Sequence, residues 1–226
     1  MTEYNLNAGH RERLRARFLN SGPEALADHE MLELLLFGVI LRRDVKPIAK
    51  ALLSRFGSLN AVFGAQITDL MQVHGVGETI ALHLKAIHAL MLSASKENIS
   101  KKPILDSWAN LLGYLKLSLE FETREQFRVL FLNNKLKLIK DENMGDGTID
   151  HAPVYPREIA RRALELSASS VILVHNHPSG DPKPSGQDIA MTRKIISSLE
   201  AIEVKVHDHI IVGKEGSVSM KAIGII

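Results

Sequence analysis

Four consecutive apolar residues, Val171-Ile172-Leu173-Val174, run directly into His175-Asn176-His177-Pro178. A short apolar run closed by a breaker reads as a buried strand. Side chains on a strand alternate faces, so His175 and His177 point the same way, roughly 6–7 Å apart along the strand. Residues 178–184 hold three prolines and one glycine. Such a segment is a stiffened turn, and it can carry Asp188 back toward the two imidazoles.

Two neutral imidazoles and one carboxylate can each reach one ion at ~2.0–2.1 Å, leaving a fourth tetrahedral position open. That is the pattern of a catalytic metal site. The chain has no cysteine, so a metal must be held by His, Asp or Glu, and a disulfide scaffold is excluded. Ser185-Gly186-Gln187-Asp188 also reads as a capping box. The two readings coexist, because an Asp in a first helical turn can still ligate. A His-X-His pair at a strand end is often just an exposed pair. Here it follows an apolar run and precedes a rigid turn, where folding alone does not call for it.

At 226 residues the chain has room for one or two domains, at roughly 100–200 residues each. Its 45% apolar and 24% charged residues are those of a globular protein. The N-terminus is polar and no apolar run reaches the ~18 residues of a membrane span, so a cytoplasmic location and no membrane partner are expected. A net charge of +2 selects no partner by itself.

The first part reads as helices. Arg11, Arg13, Arg15 and Arg17 make a basic opening segment, and Asp28 is placed to cap a helix over 30–37. Asp44 can cap a helix ending at Phe56, with Pro47 in its first turn and Gly57 closing it. Further helices are expected over 67–73 and 78–95. Residues 96–103 are polar, carry three lysines and end in Pro103, which marks a linker. Beyond it come a helix over 107–119, alternating strands over 127–132 and 135–140, and a turn at 143–147. A helix over 156–167, the strand 170–177, a helix over 189–199, a strand over 204–212, a turn at 213–216 and a strand over 217–220 complete the pattern. The expected fold class is α/β (α+β), with an all-helical domain at 1–96 and a mixed-sheet domain at 103–226.

The order His-X-His, seven residues, Ser, two residues, Asp resembles the JAMM (MPN-plus) motif of zinc metallopeptidases. The longer form from His175 to Asp188 is similar to that of the bacterial RadC family. Val154-Tyr-Pro-Arg-Glu158, Asp208-His-Ile-Ile-Val-Gly213, Gly9-His-Arg-Glu-Arg-Leu14 and the stretch from Leu32 to Val45 extend the likeness over nearly the whole chain. The resemblance implies a JAMM/MPN-like second domain. It implies zinc on His175, His177 and Asp188, an oxyanion contact from Ser185, and an upstream glutamate as general base. Glu125 is chosen because it stands just before strand 127–132, where JAMM proteins carry theirs. Glu120 and Glu122 are its rivals, and each of the three also reads as a solvated carboxylate. Glu158 reads as structural. A second His-X-His pair, His207 and His209, is expected to pack or to hydrogen-bond around the site rather than to bind another metal.

Val73-His-Gly75-Val76-Gly77-Glu-Thr-Ile-Ala81 resembles a helix-hairpin-helix. Glycines permit the tight turn, and N–H groups at the next helix start can face a phosphate. The same hairpin also serves as a packing or protein contact, and Glu78 puts an anion where phosphate would sit. The function expected is zinc-dependent hydrolysis of an amide, peptide or isopeptide bond. The alternative is a DNA-associated binding protein of repair or recombination type with an accessory metal domain. The residues do not select a substrate.

Overall fold

The computed structural model describes residues 6–146 and 154–226. It divides into two compact units, Met1–Leu90 and Met91–Ile226. The first unit is helical: α1 (Leu6–Ser21), α2 (Asp28–Leu36), α3 (Lys46–Phe56), α4 (Leu59–Gly64) and α5 (Ile67–Met71), followed by the opening of α6 (Glu78–Lys101). Its core is built on Leu32, Leu36, Leu52, Val62, Leu70 and Leu84.

Local chemistry sets the helix ends. Asp28 occupies the first turn of α2 rather than its cap; the Glu30 carboxylate reaches back to accept the Ala27 N–H at 3.0 Å. Asp44 accepts the Lys46 N–H at 3.0 Å ahead of α3, and Gly57 ends that helix in the left-handed region at φ 88°. Ser58 caps α4, a short helix that hydrophobic periodicity did not reveal. The expected linker at 96–103 is helical as far as Lys101. Glu97 and Lys101 form an i,i+4 ion pair at 2.6 Å, and Ile99 is fully buried in the second unit's core. One buried residue among polar neighbours anchors the helix end without producing an apolar stripe, so the segment looked like a linker.

In the second unit, α7 (Trp108–Leu119), α8 (Pro156–Glu165) and α9 (Gly186–Glu200) cover a five-stranded sheet of β1 (Gln126–Leu132), β2 (Leu138–Asp146), β3 (Ser170–Asn176), β4 (Lys205–Gly213) and β5 (Gly216–Ser219). The strand order is β2-β1-β3-β4-β5, with β3 and β4 parallel and the other neighbours antiparallel. Helix α7 buries Leu111, Leu115 and Leu119 against Leu130, Ile172 and Ile210 on one face. Ile159 and Ala163 of α8 and Ile195 and Leu199 of α9 pack with Val129, Phe131, Val171 and Leu173 on the other. Sandwiching explains why β3 reads as an unbroken apolar run. A helical unit followed in sequence by a mixed α/β unit matches the expected fold class.

The turn expected at 143–147 is a correction. Residues 143–146 stay in β2, because Gln126, Phe127 and Arg128 of β1 pair with Asp146, Gly145 and Asn143 across a register shift. Gly147 lies outside the described residues. The strand expected at 135–140 starts only at Leu138: Asn133 Oδ1 accepts the N–H groups of Lys135 and Lys137, folding that stretch into the preceding turn. Among the described residues no helix is long and apolar enough to cross a membrane.

Candidate metal centre

Strand β3 and the first turn of α9 bring His175, His177 and Asp188 together. His175 Nε2 lies 2.9 Å from His177 Nε2. Asp188 Oδ1 is 3.3 Å from His175 Nε2, and Asp188 Oδ2 is 3.5 Å from His177 Nε2. Ligands held tetrahedrally at ~2.0–2.1 Å from one ion stand about 3.3 Å apart. The three groups therefore fit a metal ion, by donor chemistry and by spacing. They form the His/Asp group in the described residues whose ligand atoms lie within 4.8 Å of one another. Burial would raise the Asp188 carboxyl, but the neighbouring His175 and His177 imidazoles hold it well below the usual carboxylate range. The Asp188 contact in turn raises His177 against the effect of its burial, helped by the Asp181 carbonyl and the negative charges of Asp188 and Glu125.

Each imidazole is fixed through its other nitrogen. His177 Nδ1 lies 2.8 Å from the Asp181 carbonyl, so it donates there and leaves Nε2 facing its neighbours. His175 Nδ1 lies 2.8 Å from His209 Nε2 on β4, and its ring stacks on Phe127 with an interplanar angle of 11°. His209 is buried and its imidazole is pushed well below the ordinary value, by burial first and then by the neighbouring His175. The turn supplying Asp181 is held against the β4–β5 corner. Gly180 accepts the Glu215 N–H at 3.1 Å, and a Cβ on Gly213 would sit 2.1 Å from the Gly180 carbonyl oxygen.

Ser185 caps α9: its Oγ accepts the Asp188 N–H at 3.2 Å, while the Asp188 carboxylate accepts the Ser185 N–H at 2.7 Å. The capping box and the metal cluster thus share one aspartate. Glu125 stands immediately before β1. Phe127 pairs with His175 at the last rung of the β1–β3 ladder, so Glu125 and His177 each lie two residues beyond that rung. The charge of Glu125 acts on His177. Glu120 instead ends α7, which covers the opposite face of the sheet, near Lys116. Burial raises its carboxyl, opposed by Lys116 and Lys214. Glu122 follows in the connecting turn. Glu158 makes a surface ion pair with Arg161 at 3.1 Å.

Asn176, the middle residue of the histidine pair, is a contributor that spacing did not single out. It is buried, its Oδ1 accepts the Gln126 N–H at 2.8 Å and its Nδ2 donates to the Arg124 carbonyl at 3.0 Å. The second His-X-His pair is split. Val171 pairs with Val206 but Ile172 with Asp208, so a bulge at His207 breaks the alternation. His209 reaches the metal cluster; His207 lines a separate cavity with Trp108, Ser219 and Lys221.

In the helical unit, Gly75 takes φ 88° between α5 and α6, and its missing Cβ leaves room for Ile48. Val76 is buried in the core, Gly77 is exposed, and Ala81 is fully buried at the close approach the hairpin requires. A cleft of about 600 Å³ beside the turn is lined by Arg42, Arg43, Gly75, Gly77 and Thr79 among others. Arg11 is committed to structure, donating to the carbonyls of Ile40 and Arg43.

Compared with known protein families, residues 105–225 match the family described as RadC-like JAB domain, and residues 7–82 match UPF0758 N-terminal. The first match contains β3, its histidines and the start of α9; the second contains the hairpin. A JAB-type domain over more than half of its length, with the clustered His175, His177 and Asp188 inside that domain, places the chain in the RadC family.

Proposed function

We propose that this chain is a zinc-dependent hydrolase of amide, peptide or isopeptide bonds. The observation that carries the reading is the convergence of two imidazole nitrogens and one carboxylate, with Glu125 near enough for its charge to act on His177. His175, His177 and Asp188 would hold the ion, a His₂-carboxylate set without thiolates that suits zinc. When bound, zinc supplies a Lewis acid beside the scissile carbonyl and brings the pKa of water toward ~7.

The chain's own residues then have separable tasks. Glu125 takes a proton from the attacking water as the new C–O bond forms, and returns it to the amine as the C–N bond breaks. Ser185 Oγ already accepts the Asp188 N–H, so its own O–H remains free to donate to the developing oxyanion. Asn176 keeps the Glu125 segment tied to β3. An amide-cleavage screen on zinc-loaded and chelator-treated protein tests the reading. Cleavage that needs zinc supports it; a substrate cleaved equally well after chelation removes it.

A second reading concerns the helical unit. The exposed Arg42 and Arg43 beside Gly75 and Gly77 support contact with a nucleic-acid backbone, since guanidinium groups and a helix start both suit phosphate, although Arg43 also donates to the Gly75 carbonyl at 3.5 Å. This contact and the hydrolase reading are compatible in one chain.

A further inference from the structure

We propose that His209 is a positioning residue: with Thr192 it fixes the tautomer of His175, so that the Nε2 lone pair of His175 always faces the metal. The inference rests on the metal-binding reading above and extends it to two residues outside the ligand set.

Counting protons gives the direction of the chain. Thr192 Oγ1 lies 2.5 Å from the backbone carbonyl oxygen of Asp188. A carbonyl only accepts, so the single hydroxyl proton of Thr192 goes there. Met220 Sδ, at 3.6 Å, is the weaker acceptor and does not compete for it. The second contact of Thr192 Oγ1 is His209 Nδ1 at 2.6 Å, and in that contact the hydroxyl must accept. His209 therefore carries its proton on Nδ1. The His209 ring is buried, and its two nitrogens meet only the His175 ring and the Thr192 hydroxyl, so it is a neutral imidazole with a single proton. Its Nε2 is bare, and it accepts from His175 Nδ1 at 2.8 Å. With its proton on Nδ1, His175 presents an unprotonated Nε2 to His177 and Asp188.

The chain closes on itself. It starts at one proposed ligand, His175 on β3, crosses His209 on β4 and Thr192 on α9, and ends at the main chain of another, Asp188. The three elements that build the site are thereby tied by directed bonds as well as by packing. The bulge at His207 is what makes this possible, since it resets the alternation of β4 and pairs His209 with Leu173. Phe127 fixes the ring planes, stacking on His175 and meeting His209 edge-on at 5.5 Å.

Two measurements on the full chain test the proposal. Long-range ¹H–¹⁵N NMR of the metal-free protein reads the tautomers directly. The expected result is Nδ1–H for both His175 and His209; an Nε2–H tautomer at His175 overturns the proposal. Zinc affinity by chelator competition is then compared for wild type, His209→Leu, His209→Gln and Thr192→Val. His209→Leu should weaken zinc by about 10–100-fold, the usual effect of losing an outer partner of a ligating histidine. His209→Gln, whose amide oxygen can accept in place of Nε2, should recover most of that loss, and Thr192→Val should fall between them. Thermal melting of the metal-free variants gives the separate structural readout. Unchanged affinity in His209→Leu overturns the proposal, as does an equal loss in Leu and Gln that follows the melting temperatures. A wild-type chain that takes up no zinc overturns the metal reading itself, and the NMR signals, which need no metal, tell that failure from a failure of the hydrogen-bond chain.

Discussion

Asn176 Oδ1 accepts the backbone N–H of Gln126 at 2.8 Å, so the residue between the two histidines fastens the segment that carries Glu125. Its Nδ2 also donates to the Arg124 carbonyl. The side chain thus satisfies one backbone group on each side of Glu125, just where the β1–β3 ladder ends.

Asn176→Ala should therefore lower hydrolysis more than it lowers zinc binding. The three ligand groups keep their partners, while the backbone on either side of Glu125 loses two, at Arg124 and Gln126. A half-buried donor and acceptor left unpaired cost about 1–3 kcal/mol each at most, so a lowered melting temperature is also expected. Rate and zinc content measured on the same preparation separate the effects. Zinc loss equal to the rate loss would mean that Asn176 supports the ligands instead.

Glu125→Gln should abolish cleavage while zinc stays bound. Glutamine keeps the shape and can hydrogen-bond water, but cannot take its proton at neutral pH. The expected fall is about 10²–10⁴-fold, the usual contribution of a general base. Glu120→Gln and Glu122→Gln serve as controls with the same change of charge; Glu120 belongs to the opposite layer of the sheet. Full activity in Glu125→Gln with loss in a control would move the base to that control.

Gly213→Ala should damage the site from a distance. The added methyl would stand 2.1 Å from the Gly180 carbonyl oxygen, a backbone atom with no side-chain freedom to move aside. Relief requires the 178–184 turn to shift, and with it the Asp181 carbonyl that orients His177. Overpacking of this kind costs typically about 1–3 kcal/mol. Lower melting temperature and weaker zinc binding together are expected; a variant matching wild type in both would show that the turn does not position His177.

If the helical unit touches nucleic acid through Arg42 and Arg43, the full chain should bind duplex DNA with an affinity that falls as salt rises. Replacing both arginines by alanine should flatten that salt dependence. Unaltered binding in the double variant would remove this cleft as the contact, and no binding by wild type would leave the hairpin to packing, as Ile48 against Gly75 suggests.

The strand β3, its two like-facing histidines and the return of Asp188 were legible because period-two alternation, an apolar run and a proline-rich turn are local signals. The fold class followed from the change of periodicity between the two halves. Other features depend on partners distant in sequence. The helical character of 96–101 rests on Ile99 reaching a core built mainly from later residues. The extension of β2 through Asp146 depends on β1 needing a partner. Thr192 is one threonine in a helix, and nothing in its neighbourhood marks it as the contact of a histidine on another strand. The bulge at His207 defeats alternation itself, since it separates two histidines that spacing alone would put on one face. Asn176 was visible only as the spacer between two more conspicuous residues.

Metal analysis of the purified protein and of His177→Ala tests the central claim most directly. His177 Nε2 faces both His175 and Asp188, and its loss leaves two protein ligands. The wild-type chain should hold about one zinc, as the three-ligand, open-position pattern requires, and His177→Ala should hold almost none. Equal zinc in both proteins, or a wild type that remains free of metal after zinc loading, would contradict the account.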